Sequence, residues 1–479
     1  MSDFQPGATS TAVAGRPSSG TVPIAGLAAL CVLAAVLPWL LQMRVSEALL
    51  ASVQVVLAVV GLVRGCRPGA RLVQIVTFSF LLVWLGIAPI YQLSHQRAAW
   101  GDSALLTQRV DVFWALALNL FATAALLVGF SLAARTAGAG ERTSGRASVR
   151  GVVPWLYVVA CLAVTPAAVA ASGGLSGMFS SRAERTSAWG ERVMPLAGSS
   201  GAAIGLLAIL PTALALSAAY LFLLRTLPLA RTSGLRGVPA LEAHGLVVAV
   251  ALLVLHGNFL TTTRFISTAA FGSLVVLLLQ PRSGRAGLWF GGVALGATVL
   301  LYPLANVFRS EEFRTTSGAE AFATPDFDGF QQIVNAMVFS EDVGHSLGHY
   351  TSSALLFFVP RSLWEGKATP ASIDVAEHRG YEFTNLSLPL PAELFLDFGM
   401  VGMVVLMFLL GWGLGWMDTQ WLLSPDSRAA ALVPYASLAM LGVLRGPLGS
   451  NAPVYLTTLG LLFLGVQTIR GSTAVGRGD

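Results

Sequence analysis

VFWALALNLFATAALLVGFSLAA, residues 112–134, decides the fold class. It holds no ionisable side chain, and Arg135 follows at once. About 20 apolar residues cross the ~30 Å hydrocarbon core of a bilayer. Windows of the same kind recur along the chain near 21–42, 48–63, 72–93, 153–172, 199–224, 244–260, 265–280, 287–306, 397–417, 429–444 and 453–469, about twelve in all. The pair 244–260 and 265–280 is short and reads equally as one re-entrant hairpin. Composition agrees. Of 479 residues, 55% are hydrophobic and 11% charged, with a mean hydropathy of +0.71. Soluble domains carry about a quarter charged residues. Soluble enzymes, nucleic-acid binders and disordered chains are thereby excluded, and the expected fold is an all-α, polytopic integral membrane protein.

The net charge of +5 rests on arginine, with Lys367 the only lysine. With the N-terminus inside, the inner loops hold Arg64, Arg67 and Arg71, then Arg135, Arg142, Arg146 and Arg150. Arg225, Arg231 and Arg236 follow, then Arg282 and Arg285. The opposite side holds 18 of the 24 acidic residues. This is the asymmetry of the positive-inside rule, so both termini are expected in the cytoplasm. Residues 1–20, rich in Ser, Gly, Thr and Pro, read as a disordered tail, and 470–479 as a second tail. Cys31, Cys66 and Cys161 sit in or beside apolar runs and form neither a disulfide framework nor a metal set.

The longest polar stretch, 307–396, falls on the outer side between a bundle at 21–306 and three last spans at 397–469. With Asp397 just beyond its end it carries thirteen acids, beginning at Glu311, and it holds five basic residues. Loops of that length are usually functional. Within it, 330–359 has helical spacing and 354–363 reads as an amphipathic segment on the membrane surface. No internal repeat is visible, which weighs against an inverted-repeat transporter.

Arginines at the outer interface are the first candidates for chemistry. Arg264 stands in a tight turn, Arg309 and Arg314 follow a span, and Arg445 ends one. Positive-inside pressure does not explain them there. A guanidinium offers paired donors suited to phosphate or pyrophosphate, although arginines also snorkel or pair with acids such as Glu311 and Glu312. His345 and His349, four apart, share one face if helical. They suit proton transfer or a polar face better than a metal, because no third ligand has a familiar spacing. Glu393 and Asp397 stand i, i+4 at the mouth of a span. Glu393 is a candidate base, and Asp397 is expected to cap the helix it begins. No P-loop or nucleotide-binding motif is present, and few ionisable groups lie inside the spans. No cofactor is expected, so any energy must arrive with the substrate.

FFVPRSLWEGKATP (357–370) and NLSLPLPAELFLDFGMVGMV (385–404) resemble the late outer-loop region of bacterial oligosaccharide repeat-unit polymerases, the Wzy-type O-antigen polymerases. Pro360, Arg361, Trp364 and Lys367 match the family's Pro-Arg-x-x-Trp-x-x-Lys run, and Pro391, Glu393, Phe398, Gly399 and Gly402 its continuation. The resemblance covers about fifty residues well. It implies a metal-independent glycosyltransferase of GT-C-like architecture in the bacterial inner membrane. The donor would be a glycan on undecaprenyl pyrophosphate and the acceptor a lipid-linked repeat unit, with a flippase and a chain-length regulator as partners beside membrane lipids. Arg264, Arg309, Arg314, Arg361, Lys367 and Arg445 would then bind substrate, and His349, His345 and Glu393 compete as catalytic base. A glycan ligase shares this architecture, and a flippase of lipid-linked oligosaccharide is the reading from another class.

Overall fold

The computed structural model describes residues 36–136, 145–192, 201–297, 318–384 and 386–470. Its elements are mostly helices. In chain order they are α1 (Val45–Cys66), α2 (Leu72–His95), α3 (Arg109–Thr136), β1 (Gly145–Val149), α4 (Val153–Ala171), α5 (Arg182–Arg192), α6 (Gly201–Ser233) and α7 (Ala240–Gly257). Next come α8 (Arg264–Leu279), α9 (Gly284–Gly296), α10 (Gly329–Val343), α11 (His349–Leu355) and α12 (Ala371–His378). The chain closes with α13 (Leu390–Leu423), α14 (Arg428–Arg445), α15 (Leu448–Gly465) and β2 (Val466–Arg470).

Among the described residues, eight helices are long and apolar enough to cross a membrane: α1, α2, α3, α4, α6, α7, α13 and α15. The chain is a multi-pass membrane protein. The other expected spans fall short for separate reasons. Residues 21–35 lie outside the described residues, as do the tails at 1–20 and 471–479 and the end of the 287–306 window. α8 has 16 residues and α9 has 13. α14 has 18 residues, but an arginine at each end leaves only 429–444 free of charge. Helices α7 and α8 are not a re-entrant hairpin, since α7 packs mainly on α6 and α4 and α8 on α14.

Lipid tails are as apolar as leucine, so these helices associate by close packing and internal hydrogen bonds rather than by leaving water. α2 is the centre of the bundle, with 94% of its apolar window buried. A π turn at Val83–Ile87 interrupts it and shifts the backbone register. Asn119 of α3 donates to the Leu85 carbonyl there, and Gln54 of α1 donates to Thr123 at 2.9 Å. Polar side chains thus tie three spans together in the interior. The tightest crossing is α3 on α13. A Cβ on Gly129 would stand 2.3 Å from the Phe408 carbonyl oxygen, and one on Gly411 2.5 Å from that of Leu126. Only hydrogen at both positions lets the two backbones meet.

One end of the bundle collects Arg64, Arg135, Arg225 and Arg231. The one short sheet among the described residues lies here, in a fold otherwise all-α. The last expected span stops at Gly465, and β2 pairs antiparallel with β1, Arg146 facing Ile469 and Ser148 facing Gln467. Asp418 of α13 accepts from the Val73 and Gln74 amides at 3.0 and 2.8 Å and so caps α2. The opposite end carries the 307–396 region, described from 318. That region is no detached layer. Phe330, Ile333 and Val334 of α10 are fully buried, and α10 packs on α3, α13 and the π turn.

Candidate functional site

The expected site residues fall into three groups at the loop end, with Arg309 and Arg314 outside the described residues. Arg264 and Arg445 form the first. Arg264, at the start of α8, is buried and paired with Asp326. Arg445, at the end of α14, reaches to 3.8 Å from Asp328 and lies over the ring of Phe265, 5.3 Å from its centroid. The two arginines thus converge on one short strap, 325–328, but they meet carboxylates of the chain there. Asp328 also accepts from Trp100 Nε1 at 2.8 Å and from the Ser387 hydroxyl, while Trp84 Nε1 donates to the Asp326 carbonyl at 2.9 Å.

The second group surrounds α11. His345 and His349 do not share a helix face. α10 ends at Val343, a turn with Gly344, Leu347 and Gly348 at positive φ follows, and His349 opens α11. His345 is exposed and stands edge-on to Phe395, at 5.1 Å between ring centroids. Its Nε2 covers Gly399, where φ is +67° and α13 kinks. Asp397 does not cap its own span. It lies before that kink and accepts from the Tyr350 and Thr351 amides at 3.1 and 2.7 Å and from the Ser346 hydroxyl, capping α11. The 354–363 segment is not one helix, because α11 stops at Leu355 and the chain turns. Lys367 explains the turn. Its Nζ donates to the carbonyls of Leu356, Phe357 and Val359 at 3.1, 2.8 and 2.9 Å. Arg361 donates back to the Lys367 and Ala368 carbonyls at 2.6 and 3.3 Å. Partial burial and then Arg361 lower the ammonium's pKa. The Pro-Arg-x-x-Trp-x-x-Lys run therefore folds onto itself, with Trp364 edge-on to His349 at 6.1 Å.

Glu393 is the third. It is wholly buried, and its Oε2 accepts from the Leu448 amide at 2.7 Å at the start of α15. Oε1 has no hydrogen-bond partner among the described residues. A carboxylate without exposed surface does not reach a substrate in this conformation.

A cleft of about 300 Å³ opens beside the first group, between α5, α6 and the turn that joins α7 to α8. Arg185, Trp189, Thr212, His256, Thr262 and Thr263 line it. Arg185 donates to Thr261 Oγ1 at 3.0 Å and meets no carboxylate among the described residues. Burial lowers its pKa, with no acid opposing the shift. A guanidinium held this way carries a desolvation cost that a bound anion would offset. Thr263 sets the N-terminus of α8 without a side-chain cap, so backbone N–H groups there add to the positive field. His256 completes the wall. Thr165 gives its one proton to the Cys161 carbonyl at 2.7 Å, so the 2.9 Å contact with His256 runs from Nε2–H to the Thr165 oxygen. That tautomer leaves Nδ1 as an acceptor.

Arg185 and His256 were not among the residues singled out from sequence. RAERTSAWGER (182–192), three arginines against two glutamates, reads as an ordinary charged linker, and His256 is a lone histidine at the end of an apolar run. The available signal was an outer-side arginine cluster at 182, 185 and 192 with no positive-inside reason to be there. No group of three or more His, Cys, Asp or Glu among the described residues is placed to hold a metal ion. Compared with known proteins, the chain matches no family model, no curated protein and no solved structure.

Proposed function

We propose that this chain is an oligosaccharide repeat-unit polymerase of the bacterial cytoplasmic membrane. It would have about twelve spans in a GT-C-like arrangement, cytoplasmic termini, and its loop end on the outer face. The observation that carries the reading is Arg185, a half-buried guanidinium facing a cleft with no carboxylate among the described residues to neutralise it. The resemblance at 357–370 and 385–404 supports the same class.

In this reading the pyrophosphate of an undecaprenyl-linked glycan binds at Arg185 and the N-terminus of α8. The acceptor hydroxyl of a second lipid-linked repeat unit attacks the donor's anomeric carbon. The bond from that carbon to the pyrophosphate oxygen breaks, and undecaprenyl pyrophosphate leaves with the bonding electrons. Arg185 stabilises the leaving charge, and an imidazole takes the hydroxyl proton. Glu393 is closed off, so His256 and His349 are the acceptors to test. Arg264, Arg445, Arg361 and Lys367 shape the loop end instead of holding the anion.

The test is surface glycan resolved by size from a strain lacking the gene, complemented with variants. Loss of the long ladder with single units still attached supports a polymerase. Loss of all attached glycan while lipid-linked polymer accumulates supports a ligase, and units trapped on the cytoplasmic leaflet support a flippase. Arg185→Ala is expected to reach the membrane in normal amount and to reduce chain extension by 100-fold or more, on the order of a lost oxyanion donor. A full ladder from that variant sinks the pyrophosphate site. Extension is also expected to survive excess chelator, and loss reversed by added divalent metal would overturn the metal-free route.

A further inference from the structure

A second and larger cavity lies at the arginine-rich end, far along the chain from the loop-end groups. It measures about 800 Å³ and is walled by one face of the β1–β2 pair, the last turns of α6 and the start of α7. Its polar lining is Arg146, Ser148, Arg225, Thr226 and Glu242, and its apolar lining includes Leu229 and Ile469. Arg225 is committed. It pairs with Glu242 at 2.7 Å and donates to the Gly151 carbonyl at 2.8 Å. Arg146 is exposed, and no described side chain accepts from it. The lining therefore carries two positive charges and one negative, a net of +1, and Arg146 is the cation that no acid among the described residues pairs. Leu229 in the lining stands 40% exposed, so the open side of the cavity is partly apolar.

We infer that this cavity takes the headgroup of an anionic phospholipid from the leaflet on this side. Its phosphate would sit at Arg146 and Ser148, and its acyl chain would leave past Leu229. Two observations favour a lipid over a soluble phosphate. The walls are mainly apolar, and they are built partly by the end of α6 and the start of α7, two helices long and apolar enough to cross a membrane. Basic pockets between spans on the positive side are suited to acidic headgroups. The net charge of the lining favours a headgroup of charge −1 over a zwitterion. The inference concerns a different cavity from the proposed catalytic one and stands if that reading fails.

Native mass spectrometry of the full-length protein in detergent, titrated with phosphatidylglycerol, phosphatidylcholine or glycerol 3-phosphate, tests it. Phosphatidylglycerol is expected to bind, and the other two to bind at least tenfold more weakly. Arg146→Glu removes a charge-assisted phosphate contact and should lower phosphatidylglycerol affinity about tenfold or more. Leu229→Trp should do the same by filling the mouth. Arg236→Glu makes the same charge change at an exposed position outside the cavity lining and should leave affinity within about twofold. Equal loss from Arg146→Glu and Arg236→Glu would mean general attraction to a basic surface and would overturn the site. Binding of glycerol 3-phosphate or phosphatidylcholine as strong as that of phosphatidylglycerol would overturn the assignment of an anionic lipid.

Discussion

Arg264 and Arg445 show how a residue type and its position can be read correctly while its partner is not. Both were expected at the outer interface, and both lie at the loop end. Asp326 and Asp328, more than sixty residues beyond Arg264 in sequence, decide what Arg264 and Arg445 do. Breaking a buried ion pair by removing one member typically costs about 3–5 kcal/mol, because the other charge stays buried. Arg264→Ala is therefore expected to lower the thermal midpoint in detergent sharply, and Arg264→Ala with Asp326→Ala to recover much of it. A double variant as unstable as the single one would show that the arginine's other contacts matter more. Lys367 makes a complementary case. Three convergent carbonyls suit the compact ammonium better than a planar guanidinium. Lys367→Ala and Lys367→Arg should both hasten proteolysis between 355 and 368, the alanine more so, and unchanged cleavage would refute the clasp.

At the scale of elements, apolar windows gave helices almost everywhere they were described, because length and lack of charge are local properties. What stayed illegible depends on contacts distant in sequence. The β1–β2 pair joins residues about 320 positions apart, through stretches that read as a loop and a span end. The kink at Gly399 is another case, since Glu393 and Asp397 read as one helical face at a span mouth. In the folded chain both precede the kink and serve different helices, α15 and α11. Gly399→Ala should cost about 1–3 kcal/mol through its positive φ, with a further crowding term against His345. Gly411→Leu should prevent α13 from docking on α3 and abolish the folded monomer by size exclusion. A stable Gly411→Leu protein would show that the crossing relaxes more easily than its backbone contacts indicate.

For the whole molecule, the proposed orientation has a direct test in thiol labelling. Cys66 and Cys161 are buried, so replacing Cys31 by serine leaves a low background. Leu363 and Leu347 are 80% and 86% exposed at the loop end, and Arg236 is exposed at the other. In intact cells a membrane-impermeant maleimide should react with Leu363→Cys and Leu347→Cys. It should reach Arg236→Cys only after the membrane is opened. The reverse pattern would turn the molecule over and move the Arg185 cleft to the cytoplasm.

The lysine clasp also has an analytical use. Apart from its N-terminal amine, this chain offers amine-directed reagents one target, and that nitrogen already gives hydrogen bonds to three carbonyls. Acylation of Lys367 must wait for the 356–368 turn to open. Its rate in whole membranes would act as a stopwatch on that single opening event, read by mass spectrometry without any introduced probe.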